Sequence, residues 1–135
     1  LSEPTIIQEE LLASGEVILF ADDEESVRKM AGILLERLRY SYVMVRDGVE
    51  AVESFRMNHS KVAAVVLDLT MPKLTGRDCL RKLREIDPNA KIVATSGYTL
   101  DGTVEDLIRD GADVFIRKPY TIEDLARALK RVLVG

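Results

Sequence analysis

Five short apolar runs, each followed by hydrophobic residues at helical spacing, constrain this chain more than any other feature. The first run, Val17-Ile18-Leu19-Phe20-Ala21, is apolar throughout, as a strand covered on both faces must be. A helix over about 25–39 follows, with Val27, Met30, Ile33, Leu34 and Leu38 at helical spacing and Glu24 and Glu25 as cap and dipole-compensating residues. Strand two covers 42–45, and Asp47-Gly48-Val49-Glu50 is a capping signature for a second helix reaching about Met57. The third run, Val62-Ala63-Ala64-Val65-Val66-Leu67, leads to Asp68. After a loop closed by Gly76, a third helix runs to about Glu85 with Leu80 and Leu83 inward, and Asp87-Pro88-Asn89 ends it. Strand four spans about 91–95, a fourth helix about 102–110 stops at Gly111, and strand five spans 113–117. Thr121-Ile122-Glu123-Asp124 caps a last helix whose Leu125, Ala128, Leu129 and Val132 share a face. Such alternation predicts an α/β fold built on a parallel sheet with right-handed crossovers.

Each strand but the second ends in a polar group with chemical potential. Asp22-Asp23 follow strand one, Asp68 follows strand three, Ser96 follows strand four and Lys118-Pro119 follow strand five. A carboxylate at the carboxyl end of a buried strand, facing the loops, is placed to bind a ligand or act as a nucleophile. Two acids after one strand, Asp68-Leu69-Thr70-Met71-Pro72 after another, then a hydroxyl and a Lys-Pro together resemble the receiver domain of two-component response regulators. The resemblance covers about Glu16 to Gly135. It implies a flavodoxin-like (βα)5 doubly wound sandwich with a five-stranded parallel sheet in the order 2-1-3-4-5. Ligands of such a sheet bind where the strand order reverses, here between strands one and three. Residues 1–15, with Pro4, the stretch Ile6 to Leu12 and Ser14-Gly15, read as an N-terminal linker to a receiver domain at 16–135.

At 135 residues the chain is long enough for one sheet with helices on both faces and too short for a second core. No apolar run is long enough to cross a bilayer and no signal stretch opens the chain, so a cytoplasmic location is expected. Net charge is −4 and the basic residues are spread along the helices, which argues against nucleic-acid binding. The single cysteine, Cys79, excludes a disulfide framework and a cysteine-based zinc site, and beside Leu80 and Leu83 it reads as a small buried side chain. His59, in Met57-Asn58-His59-Ser60, reads as a solvated loop residue.

Three carboxylates in one cleft repel one another unless one takes up a proton or a cation neutralises them. Hard oxygen ligands in an incomplete protein shell suit Mg2+. The resemblance implies that Asp23 and Asp68 coordinate it directly, Asp22 through water, and Thr70 through its backbone carbonyl. It makes Asp68 the nucleophile that forms an aspartyl phosphate, with Lys118 and the metal offsetting charge on the phosphoryl oxygens. It also implies a cis Lys118–Pro119 bond, which an X-Pro sequence permits. Neighbours on a strand face opposite ways, and the family's spacing to the lysine selects Ser96 over Thr95 as the hydroxyl that moves inward on phosphorylation. Phe115, three residues before Lys118, is then the aromatic switch. Threonine and tyrosine are the usual pair, and phenylalanine has no phenol to hold a rotamer by hydrogen bonding.

The leading expectation is therefore a phosphoacceptor switch served by a histidine kinase or a histidine phosphotransfer protein. It would catalyse only its own phosphorylation and dephosphorylation, and Thr70 would affect the phosphoryl lifetime. Output, and a possible homodimer, would use the face of helix four, strand five and the last helix. An aspartate-nucleophile phosphatase needs a second acid two residues after the nucleophile, where this chain has Thr70. A receiver-like interaction module that is never phosphorylated usually lacks one of Asp22, Asp23, Asp68 and Lys118. The parent is expected to be a hybrid sensor histidine kinase, with a stand-alone response regulator as the alternative.

Overall fold

The computed structural model describes residues 8–71, 73–97 and 111–134. Five strands, β1 (Val17–Ala21), β2 (Ser41–Val45), β3 (Val62–Asp68), β4 (Ile92–Ser96) and β5 (Val114–Arg117), form one parallel sheet in the expected order β2-β1-β3-β4-β5. The described helices are α1 (Glu25–Arg37), α2 (Gly48–Asn58), α3 (Gly76–Ile86) and α4 (Ile122–Val134). The helix expected over 102–110 lies outside the described residues, as do Pro72 and Tyr98.

Side-chain alternation splits the core in two. Leu19, Val65, Leu67, Ile92 and Ala94 belong to a cluster with Val52 and Phe55 of α2 and Leu80 and Leu83 of α3. Ile18, Phe20, Ala64, Val66 and Val93 belong to the opposite cluster, with Ala31 and Leu35 of α1 and Leu125 and Leu129 of α4. Successive strand residues thus serve two different cores, which is why β1 and β3 carry no polar alternation. The buried stripe of α1 differs from the expected one. Ala31, Gly32, Leu35 and Leu38 are buried, whereas Met30 and Ile33 are 57% and 55% exposed. Residues 31, 35 and 38 share one side of a helix, and 30 and 33 fall away from it.

Local chemistry fixes the helix starts. Asp47 Oδ1 accepts from the Glu50 amide at 2.8 Å and Thr75 Oγ1 from the Asp78 amide at 3.2 Å. At α4 the capping box is reciprocal, Thr121 Oγ1 accepting from the Asp124 amide and Asp124 Oδ2 from the Thr121 amide, both at 3.0 Å. α1 departs from expectation: Glu24 holds the cap position but its side chain makes no capping hydrogen bond. Its amide instead donates to Asp22 Oδ1 at 3.0 Å, so a residue of the strand end organises the helix entry.

The segment expected as a linker is, from residue 8 onward, packed on the domain. Glu9–Leu11 form a 3-10 turn, and Leu11 and Ala13 are buried in the cluster that holds Leu35, Leu38 and Leu129. The Ala13 and Gly15 amides each donate at 2.8 Å, to the carbonyls of Leu38 and Arg39. Leu11→Ala should therefore lower unfolding free energy by about 2 kcal/mol in denaturant titration; an unchanged midpoint would show that the segment carries no stability.

Asp47 gives a pH-dependent counterpart. The Glu50 amide bonds its charged form and holds the carboxyl below its ordinary value, burial opposing and Lys73 assisting. A carboxyl depressed in the fold stabilises above its unfolded value and loses that contribution as pH falls through the folded value. Asp47→Ala should cost about 1 kcal/mol at neutral pH, with a deficit that narrows as pH drops below 3.8. Thermal melts of both proteins across that range measure it.

Candidate functional site

Backbone hydrogen bonds carry the strand ladders one residue past the strand ends and so place the site. The Asp22 amide donates to Val45 O at 3.1 Å, the Leu69 amide to Thr95 O at 2.9 Å and the Lys118 amide to Ser96 O at 2.9 Å. The loop after Asp68 is pinned by close packing as well. A Cβ at Gly76 would lie 2.9 Å from both Cα and Cβ of Leu69, so only glycine lets α3 begin against this loop. The Lys118–Pro119 peptide is cis, as expected.

These placements bring three strand ends together. Lys118 Nζ donates to Asp22 Oδ2 at 2.6 Å and to Asp68 Oδ2 at 3.1 Å, joining residues 96 and 50 positions apart. Both carboxylates are buried, Asp22 at 0% and Asp68 at 1% exposure. Asp68 Oδ1 accepts from the Thr70 hydroxyl at 2.8 Å and the Thr70 amide at 3.0 Å. Arg28 donates to the Asp22 carbonyl at 2.8 Å. Asp23 is exposed, yet Asp22, Asp23 and Asp68 offer carboxylate oxygens that all lie within 4.8 Å of one another. The cluster is thus dry on the sheet side and open at Asp23.

One ammonium does not neutralise this cluster. Burial pushes the Asp22 carboxyl above its ordinary value, and the Asp68 charge adds to the shift despite the hydrogen bonds from Lys118 and the Glu24 amide. Burial works against the charged form of Lys118, but the two carboxylates together outweigh it and raise its pKa, so it remains an ammonium. Burial likewise pushes the nearby Tyr120 phenol to about 12, with Asp22 adding to the shift. A buried carboxylate that still resists ionisation beside a lysine marks a site with room for more positive charge. Three hard oxygen donors within a few ångströms suit a small divalent cation.

Ser96 and Thr95 are both buried, at 0% and 1% exposure. Thr95 is in register with Asp68, and Ser96 with Arg117. By alternation Ser96 shares a sheet face with Ala94, whose register partner Phe115 is half-buried against that same cluster. Ser96 and Phe115 therefore occupy one face and Thr95 the other. Sequence reasoning missed two contacts. It assigned Thr70 a backbone carbonyl but no bonds to Asp68, although an aspartate commonly accepts from the amide two residues on, as it does here beside the hydroxyl. Nothing in the pattern of α1 marked Arg28 as the residue that reaches back to Asp22. Cys79 is buried, as expected, and burial pushes its thiol to about 12.

Comparison with known proteins agrees with this geometry. The sequence profile of the response regulator receiver domain matches residues 18–130. The chain is 33% identical over 123 residues to the sensor kinase CckA of Brucella abortus, covering 90% of this chain and 13% of that protein. It is also 33% identical over 119 residues to the chemotaxis protein CheY of Thermotoga maritima, covering 87% of this chain and 98% of that one. Among solved structures it is similar to the receiver domain of the sensor histidine kinase PA1611 of Pseudomonas aeruginosa, with a TM-score of 0.81 and 26% identity. That alignment covers 90% of this chain and 99% of the other, which has a magnesium ion coordinated in its active-site cleft. The chain belongs to the response regulator receiver family of two-component signalling. It spans a small fraction of its sensor-kinase relative and nearly all of its chemotaxis relative.

The charge imbalance has a measurable consequence. Because the fold holds the Asp22 carboxyl above its ordinary value, its ionisation at neutral pH opposes folding. Asp22→Asn should raise the thermal midpoint by a few degrees in chelator-containing buffer; a lowered midpoint would show that the Lys118 pair outweighs desolvation.

Proposed function

We propose that Asp68 accepts a phosphoryl group from a phosphohistidine. The observation that carries this reading is the bridge from the Lys118 ammonium to buried Asp22 and Asp68 at 2.6 and 3.1 Å, at the point where strand order reverses. Asp23, Asp68 and the Thr70 backbone carbonyl would hold Mg2+, with Asp22 acting through water; the ion supplies charge neutralisation for phosphoryl transfer when bound. The remaining chemistry belongs to the chain. An Asp68 oxygen forms a bond to phosphorus as the phosphorus–nitrogen bond to the donor imidazole breaks, and the departing imidazole takes its proton from solvent. Lys118, already in hydrogen-bond contact with Asp68, neutralises charge on the transferred phosphoryl oxygens. Thr70, through its hydroxyl and amide, holds Asp68 in one orientation. Ser96 is the hydroxyl that engages the new phosphoryl group, and Phe115 on the same face changes its packing in response.

The donor is a histidine kinase or histidine phosphotransfer protein. A cavity of about 500 Å3, lined by Val27, Met30, Leu34, Pro119 and Tyr120, opens onto Lys118 and Thr70. Met30 stands exposed at this cavity, so the donor's helix would dock here with its phosphohistidine over Asp68. We place the receiver fold at 16–135, with residues 8–15 packed onto it, in the cytoplasm, as the receiver of a hybrid sensor histidine kinase. Its near-complete overlap with a chemotaxis protein favours a second reading, a stand-alone regulator. Among the described residues no helix is long and apolar enough to cross a membrane.

Incubation with Mg2+ and acetyl phosphate should add one phosphoryl group by intact mass, with no addition in Asp68→Asn or in the presence of EDTA. A folded wild type that stays unmodified would favour an interaction module, and steady turnover of phosphate esters would favour a phosphatase. Met30→Glu should slow transfer from a phosphohistidine protein about tenfold while leaving acetyl phosphate labelling intact. Equal loss with both donors would refute the docking site.

A further inference from the structure

β2 stands at one edge of the sheet and pairs only with β1 among the described residues. The Ser41 amide donates to Glu16 O at 3.0 Å, and Val45 O accepts from the Asp22 amide at 3.1 Å. In a parallel ladder these contacts turn the amides and carbonyls of residues 41, 43 and 45 toward β1, which leaves those of Tyr42 and Met44 on the open side. Folds usually blunt such an edge with a charge or a proline. Ser41-Tyr42-Val43-Met44-Val45 contains neither, and Val43 is 41% exposed.

A groove of about 550 Å3 runs along this edge between α1 and β2, lined by half-buried Tyr42 and Met44 and by exposed Ile33. The residues of α1 divide between two surfaces. Val27, Met30 and Leu34 line the cavity beside Lys118, whereas Lys29, Ile33 and Glu36 line the edge groove. Ile33 sits midway in the second set, one helical turn from Lys29 and one from Glu36. Among the described residues the Lys29 ammonium pairs with exposed Glu25 at 3.4 Å, a contact that contributes little. Glu36 is exposed and accepts from the Tyr42 hydroxyl at 2.5 Å. The groove thus carries a cation at one end, an anion at the other and apolar surface between them.

We infer that this edge joins a second copy of the chain by antiparallel pairing of β2 with β2, about a two-fold axis at Val43. Tyr42 of each copy then exchanges backbone hydrogen bonds with Met44 of the other, and the two Val43 side chains meet in the close, non-hydrogen-bonded pair. The same axis reverses α1, so Ile33 meets Ile33 and Lys29 of each copy faces Glu36 of the other. This sign matching is what selects a second copy: an unrelated strand could use the open backbone groups, but the charges along the groove complement their own reversed order. The carboxyl ends of the two sheets point in opposite directions, so both Asp68 clusters and both cavities beside Met30 stay open. The contact lies at the sheet edge opposite β5 and requires no phosphoryl group.

Sedimentation velocity over a concentration series, with amide hydrogen exchange followed by NMR, tests the pairing on the unphosphorylated chain. A dimer should form as concentration rises, and the Tyr42 and Met44 amides should then exchange at least about tenfold more slowly than in the monomer. Val43→Lys, at an exposed side chain, should weaken dimerisation at least about tenfold. Lys29→Glu or Glu36→Lys alone should weaken it several-fold, through two repulsive pairs. The double variant Lys29→Glu/Glu36→Lys exchanges the signs and should recover wild-type association. A chain that stays monomeric at its highest soluble concentration, protection confined to β5 or the last helix, or a double variant no better than the single ones would overturn the proposal. So would a monomer whose Tyr42 and Met44 amides are protected only by an added extended peptide of alternating Val and Thr, which would make the edge a strand-docking site for another protein. Acetyl phosphate labelling of Val43→Lys reports on Asp68 separately and should match the wild type, so failure of the pairing and failure of the phosphoacceptor reading are distinguishable.

Discussion

The contact on which the site depends is one ammonium shared by two buried carboxylates. Taking Lys118, Asp22 and Asp68 out of water is unfavourable, and a buried ion pair seldom repays that cost as net stability. Its value lies in position. A single lysine links the ends of β1, β3 and β5, and the hydrogen bonds are available only while all three strands stay in register. The exposed Asp23 leaves the cluster with more negative charge than Lys118 can offset, so the fold maintains a standing attraction for a cation beside Asp68.

A parallel sheet explains how such a cluster is tolerated. Every strand runs the same way, so every carboxyl end opens on one edge, while both faces are sealed by apolar side chains from the helices and from Leu11 and Ala13. Polar groups with unmet interactions can then collect at that edge without disturbing either core. The cavity beside α1 opens onto Lys118 at that same end of the sheet.

Much of this was legible in the sequence because strand ends are sharp. A run such as Val62 to Leu67 has one interpretation as a doubly covered strand, and the residue that ends it must sit at the sheet edge, which located Asp22, Asp68 and Lys118 together. Helical stripes were less legible. In α1 the apolar residues exceed one face, so Met30 and Ile33 looked inward although Ala31 and Leu35 contact the sheet. Small residues such as Ala31 and Gly32 carry little hydrophobic signal, yet they let the helix approach closely. The bond from the Thr70 hydroxyl to Asp68, the reach of Arg28 and the packing of Leu11 depend on rotamers and chain path, which spacing alone does not encode. The helix expected over 102–110 lies outside the described residues.

Borohydride trapping of the acetyl phosphate-treated protein, followed by peptide mapping, tests the central claim most directly. An acyl phosphate is reduced to an alcohol, so the account predicts homoserine at position 68 and an unaltered carboxylate at positions 22 and 23. Reduction at either of those acids, or phosphate found on a hydroxyl while Asp68 stays intact, would contradict it.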